Sequence, residues 1–251
     1  MLMYVTPFIN MCCLELKMGE YCMGIPLEKI IPYLGQLIYD VYGRKFGTVV
    51  GIYSEVDGNV VAIEVMINDS IYETLSADRL SVRDDNVKVV PEWLVEVQKV
   101  EKKLDTLKKR MTALEELFKK GQIPQHAYKE LKEKFEKELN KAKNDAKNLK
   151  EVMRKRIYDL ENFVLHIEKA MTNLMVSYTS GELPENGFKV SADFLRFAKQ
   201  ASLEEKKDIE KHIGLITKLE EELTSAVSQQ EKQEAVPITP QTGPIAVKIA
   251  T

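Results

Sequence analysis

The sequence predicts an α+β protein: a small N-terminal β-barrel-like domain over residues 23–91, a long helical coiled-coil region, and an extended C-terminal tail. Three observations carry this reading. Residues 33–90 are rich in Val, Ile and Tyr and punctuated by glycine; from Trp93 the apolar period lengthens to that of a helix seam; and the last fifteen residues are a proline-bounded apolar string, "PITPQTGPIAVKIAT".

Residues 1–22, "MLMYVTPFINMCCLELKMGEYC", lack a basic leader and carry only a weak apolar core, so they do not read as a secretory signal. They read as an upstream extension, with the working domain starting at "MGIPLEKIIPYLG"; an ordered strand or anchor is the rival reading. Cys12, Cys13 and Cys22 all lie here, without the paired spacing of a zinc site.

In the β-region, "QLIYDVYG", "GTVVGIYSEV" and "NVVAIEVMI" are strands, and Asp57-Gly58 between the last two signals a tight hairpin. "YETLSADRLSVRDDNVKVV" adds one or two shorter strands, and closing the hairpins into a barrel hides their edges. Gly43, Gly47 and Gly51 do not make a phosphate loop, because "GRKFGTVVG" lacks the G-x-x-x-x-G-K-[ST] pattern. They suit a turn and close backbone approaches instead.

From Trp93 the apolar residues Val97, Val100, Leu104, Leu107, Met111, Leu114 and Phe118 step alternately by four and three, the seam of a coiled coil. Gly121 ends this helix and Pro124 opens the next. The second seam runs from Tyr128 through Leu131, Phe135, Leu149, Met153, Leu160, Ile167 and Leu174 to Tyr178, with two stutters, at Phe135 and Met153. Residues 92–179 therefore form an antiparallel hairpin, lopsided because the helices span roughly 40 and 75 Å. The overhanging apolar stripe from about Met153 needs a cover, from the third helical region at 191–230, a second subunit, or both. That region follows a loop at 180–190, and Ser202 with Glu205 forms a capping-box pattern, so it reads as two helices or one kinked helix. Residues 231–251 are linker and terminal peptide. Ile245, Val247 and Ile249 would share one face of a strand whose partner lies on another molecule.

Charge is segregated. Residues 99–156 hold 19 Lys and Arg against 10 Asp and Glu, whereas 23–98 have 6 against 12 and 157–236 have 9 against 15. A polyanion, DNA or an anionic membrane surface, would meet Lys102, Lys109, Arg110, Lys141, Lys147, Arg154, Lys155 and Arg156. A solvated helix face is the plain alternative, and contact with an acidic part of a neighbouring subunit is the third. Few aromatics interleave these residues, so base-specific readout is not expected. His126, His166 and His212 are scattered, and no nucleophile elbow, H-E-x-x-H or Cys–His constellation occurs. Neither a catalytic nor a metal or cofactor site is expected.

The stretch "YLGQLIYDVYGRKFGTVVGIYSEVDGNVVAIEV" resembles a PRC-barrel in its leading "YLG", its "YGRKFG" hairpin and its "DGNVVAIEV" strand. Barrel, coiled coil and proline-flanked peptide in that order resemble the archaeal CdvA family of cell-division proteins, over Met23 to Thr251. The resemblance implies a non-enzymatic, cytoplasmic scaffold, peripheral to the membrane at the division site. It implies assembly into filaments, association with DNA and, through the partner, with membrane, and recruitment of the ESCRT-III homologue CdvB. The partner contact it assigns is Pro244, Ile245, Ala246, Val247, Lys248 and Ile249. A sequence-nonspecific DNA-binding, nucleoid-organising filament is the alternative.

Overall fold

The structure is a computed structural model that describes residues 24–83 and 86–234, with side chains to residue 224. Two compact units emerge among the described residues: 24–40 with 45–89, and the turn 41–44 with 90–234. The expected α+β class is what the fold shows.

The first unit is a nearly closed, barrel-like sheet. Its elements are β1 (Ile25–Pro26), α1 (Leu27–Ile30), β2 (Leu37–Asp40), β3 (Lys45–Ser54), β4 (Asn59–Asn68), β5 (Ile71–Ser76), β6 (Leu80–Arg83) and β7 (Asn86–Val89). The strand order is β1-β4-β3-β2-β7-β6, with β5 also on β4, and among these described strands only β2 and β7 pair in parallel. The stretch 72–90 thus supplies three strands rather than one or two. Alternation puts Ile38, Val49, Ile63, Val65 and Leu75 inside, and Ile30 of α1 joins them. Each such side chain contributes about 1.5–3 kcal/mol by leaving water. Gly47 is a close approach: a Cβ there would sit 2.6 Å from Val65 and 2.7 Å from the Met66 carbonyl oxygen.

The second unit consists of α2 (Glu92–Lys119), α3 (Gln125–Thr179) and α4 (Glu185–Glu234). Helix α4 runs unbroken from Glu185, which shortens the expected 180–190 loop to 180–184 and overturns the two-helix reading of the region after it. The string "LPENG" looks like a breaker, but proline is harmless just ahead of a helix, and Asn186 and Gly187 fall in its first turn. Ser202 is buried in mid-helix, and its hydroxyl donates to the Ala198 carbonyl at 2.8 Å instead of capping.

Helix α4 lies antiparallel along α3, so the overhang beyond α2 is covered by its own chain on one side. Met153 and Leu160 of α3 share a core with Ala201, Ile209, Ile216 and Leu223 of α4 and with Val97, Leu104 and Met111 of α2. The stutter at Met153 falls where α2 begins, and this fully buried residue faces all three helices' core.

Both interhelical turns have one construction. Phe118-x-x-Gly121-Gln122-Ile123-Pro124-x-x-x-Tyr128 is repeated sixty residues later as Tyr178-x-x-Gly181-Glu182-Leu183-Pro184-x-x-x-Phe188. In each, the glycine N–H donates back to the aromatic residue's carbonyl, at 2.9 and 3.1 Å. Gly121 and Gly181 hold φ of 67° and 81°, which a side chain would disfavour. In each, the two aromatic rings stack, with centroids 4.1 and 4.3 Å apart. The match continues into the helices: Trp93, Val97, Val100, Leu104, Leu107, Met111 and Leu114 correspond to Met153, Ile157, Leu160, Val164, Ile167, Met171 and Leu174. The helical unit is therefore two overlapping copies of one αα-hairpin, joined at Met153.

Candidate functional site

The helical unit carries its charges in an ordered way. The acidic α4 lies beside the basic α2–α3 arm, so charges separated in sequence meet in space. Lys108 pairs with Glu222 at 2.7 Å, Lys150 with Glu220 at 2.5 Å, and Lys206 with Glu161 at 2.7 Å. Lys103 joins Asp145 at 2.9 Å across α2 and α3, and Lys199 joins Glu168 at 2.8 Å across α3 and α4. Each exposed pair is worth only about 0–1 kcal/mol, but the set fixes the register of helices whose apolar seams would tolerate a slip of one heptad.

One acidic group is different in kind. Glu205, on the inner face of α4, is 1% exposed. Arg156 of α3 donates to both its oxygens at 2.8 and 3.0 Å, Arg44 of the 41–44 turn donates to Oε2, and Trp93 Nε1 of α2 donates at 3.3 Å. Burial pushes the Glu205 carboxyl up, but the hydrogen bonds and charges of Arg156 and Arg44 outweigh it and hold the group below its ordinary value. Beside it the Tyr42 hydroxyl donates to Asp208 at 3.3 Å, and burial, then the negative charges of Asp208 and Glu205, push this phenol far above its ordinary range, so it stays neutral. His212 Nδ1 lies 2.8 Å from Glu101, with its ring edge-on to Trp93. This polar cluster joins segments distant in sequence, so no local pattern announces it; Tyr42 and Arg44 fall in the "YGRKFG" hairpin, which the sequence marked only for its likeness to the barrel. It holds no nucleophile beside a base, and no group of metal-ligating side chains occurs among the described residues.

The seam residues separate into two sets. Val97, Leu104, Met111, Leu149, Leu160 and Ile167 are buried, and Leu174 is half-buried; Phe118 and Leu131 are exposed at 37% and 39%. Of the basic candidates, Lys102, Lys109, Arg110, Lys141, Lys147, Arg154 and Lys155 are exposed, and Lys109 pairs with Asp105 within α2. Arg156 is half-buried and not among these exposed cations, because its guanidinium is held on Glu205. The peptide Pro244 to Ile249 and the extension 1–22 lie outside the described residues. No helix among the described residues is long and apolar enough to cross a membrane.

A family model described as "CdvA-like coiled-coil domain" matches residues 92–238, which takes in the whole of α2, α3 and α4. The chain belongs to the CdvA family. It is also 35% identical over 201 residues to "Cell division protein A" of Sulfolobus acidocaldarius, covering 80% of this chain and 84% of that one. That span is too long to lie in the helices alone, so the likeness to the CdvA relative extends beyond the coiled-coil match. No solved structure matches the chain.

Proposed function

We propose that the protein is a non-enzymatic scaffold of archaeal cell division that assembles into filaments and recruits the ESCRT-III homologue CdvB through Pro244, Ile245, Ala246, Val247, Lys248 and Ile249. Membership of the CdvA family carries this reading. The physical support for the recruiting step is the terminal alternation: an extended segment with Ile245, Val247 and Ile249 on one face can add to a sheet edge, its backbone giving affinity and its side chains specificity. Titration calorimetry of a 241–251 peptide against CdvB tests it. Binding that is lost on Val247→Asp is expected; absence of heat, or indifference to Val247→Asp, overturns it. Attachment to the membrane at the division site would then be indirect, through the partner.

A second reading, sequence-nonspecific association with DNA, is favoured by the seven exposed cations on α2 and α3. The ion pairs from α4 reduce the net field of that arm, so the contact would be weak and steeply salt-dependent. Mobility shifts of the full chain at two salt concentrations check this: the shift should vanish at high salt and in a Lys141→Glu/Lys147→Glu variant.

A further inference from the structure

The two αα-hairpins of the helical unit are built alike but not covered alike. In the first, α2 packs on the early part of α3, and the far half of α4 fills the groove between them with Ile209, Ile216 and Leu223. In the second, the late part of α3 packs on the early part of α4, and that third position is empty among the described residues. The stripe of α4 that faces α2 runs through Asp208 and His212, which meet Tyr42 and Glu101, to Glu222, which meets Lys108. Stepping back along the same face by threes and fours gives Phe197, Phe194 and Val190. The turn 41–44 reaches Phe197, where a Cβ on Gly43 would lie 3.4 Å from its ring. Beyond that point the stripe is open: Phe197, Phe194 and Val190 are exposed at 48%, 66% and 57%, and Phe163 of α3 at 49%.

The repeat supplies an internal control for whether the fold needs apolar residues there. The positions equivalent to Phe163, Val190, Phe194 and Phe197 in the first hairpin are Lys103, Glu130, Lys134 and Lys137. The same backbone is thus satisfied by charged residues at all four places. Elsewhere the exchange runs the other way, with Ser177 and Ser191 where the first hairpin has Leu117 and Leu131. Each hairpin therefore has its own outward apolar face, and of this one only Phe197 touches the chain's own packing, at Gly43.

We propose that this stripe of the second hairpin is a self-association surface, occupied by the same stripe of a second copy across a two-fold axis, so that two α3–α4 hairpins complete a four-helix bundle. Charge selects the occupant. Residues 161–200 hold 4 Lys and Arg against 5 Asp and Glu, so like surfaces approach without repulsion, whereas a nucleic acid or anionic lipid would find no excess of cations. A two-fold perpendicular to the helices would also keep the strongly basic 99–156 arms of the two copies at opposite ends. Three half-exposed phenylalanines leave on the order of 300 Å² per copy. The pair would bury about 600 Å² of this apolar surface, less than the ~1,000 Å² of a stable specific interface, so the contact is weak and dimerisation is expected only at roughly 10–100 µM. This rests on the filament reading only in part: an isologous contact closes a dimer, and a filament needs a second, different contact.

The test is sedimentation velocity of the full chain from ~1 to ~100 µM, comparing wild type with Phe163→Lys/Phe194→Lys/Phe197→Lys, which installs the residues the first hairpin already uses. The wild type should pass from monomer to dimer across this range and the variant should stay monomeric, with unchanged helicity. A single Phe194→Lys variant, expected to weaken association about tenfold, serves if the triple variant loses helicity. A photocrosslinker at position 194 should join two copies through this stripe. A wild type monomeric at ~100 µM, a variant that dimerises like wild type, or a crosslink to another face overturns the proposal. Electron microscopy separates it from the filament reading: filaments with an unaffected dimer in the variant sink the surface alone, and a stripe-dependent dimer that never polymerises sinks the filament alone.

Discussion

Replacing Glu205 with glutamine removes one charge from the polar cluster while keeping its shape. The carboxylate accepts from Arg156, Arg44 and Trp93, and it is nearly inaccessible to water. A glutamine amide can accept through one oxygen only, and its NH2 then faces a guanidinium, donor against donor. Hydrogen bonds to charged groups contribute about 1.5–3 kcal/mol each, and breaking a buried pair by removing one partner costs about 3–5 kcal/mol. The Arg156 and Arg44 side chains keep 41% and 28% of their exposure, so both can turn partly to water. The loss should therefore fall around the lower bound of that range, about 2–4 kcal/mol. Trp93 is the single tryptophan of the chain and donates to Glu205, so its emission reports the site directly.

Urea unfolding followed by Trp93 fluorescence and by circular dichroism is the assay, and pH supplies its internal check. The folded-state carboxyl is held below the ordinary value of 4.5, so the unfolded chain takes up the proton first as pH falls. The Glu205 contribution is accordingly fully present above about pH 5 and lost as pH drops through the depressed folded value. Wild type minus Glu205→Gln should be constant from pH 8 to 5 and shrink toward pH 3. A difference below ~0.5 kcal/mol at pH 7 with unchanged Trp93 emission, or one that persists undiminished in acid, would mean that the Glu205 charge does not hold the cluster together.

Three further outcomes follow from the same geometry. Arg44→Ala and Arg156→Ala should be strongly non-additive in a double-mutant cycle, with a coupling of about 0.5–3 kcal/mol, because they share one carboxylate; additive melting shifts would show that the shared acceptor is not their link. Gly121→Ala and Gly181→Ala should each destabilise by about 1–2 kcal/mol in thermal melts, while Gly187→Ala, in the first turn of α4, should be neutral or slightly stabilising. Met153→Ala should cost about 2–5 kcal/mol in urea, as a cavity at the point where all three helices meet, against under ~1 kcal/mol for the exposed Val152→Ala.

Local rules made much of this fold legible. The α2 and α3 seams and the Gly121–Pro124 turn are read from period and punctuation alone, because each obeys a rule that acts within a few residues. The start of α4 was hidden because proline and glycine signal both a break and a helix entrance, and only packing against α3 decides between them. Ser202 and Glu205 illustrate the same limit: as a sequence pair they form a capping box, yet one bonds a carbonyl four residues back and the other accepts from residues 49 and 161 positions away. The sixty-residue repeat was open to inspection in "GQIP" and "GELP", but a seam read as a continuous heptad masks a repeat whose copies overlap inside one helix.

That overlap also explains why the surface candidates could not be ranked from the sequence. A long helix with an apolar stripe has to be covered, and the stripe alone cannot distinguish an intramolecular cover from a second copy. The structure separates them along α3: Leu160 and Ile167 are closed off with α4 alongside, whereas Phe163, four residues from Ile167 and on another face, stays open. The same division holds for charge, since Arg156 is bound to Glu205 while its neighbours Arg154 and Lys155 project outward. A functional residue on such a rod is therefore identified by what remains unneutralised and uncovered once the three helices have been laid together, and its position in the heptad is a weaker guide than its counterpart sixty residues away.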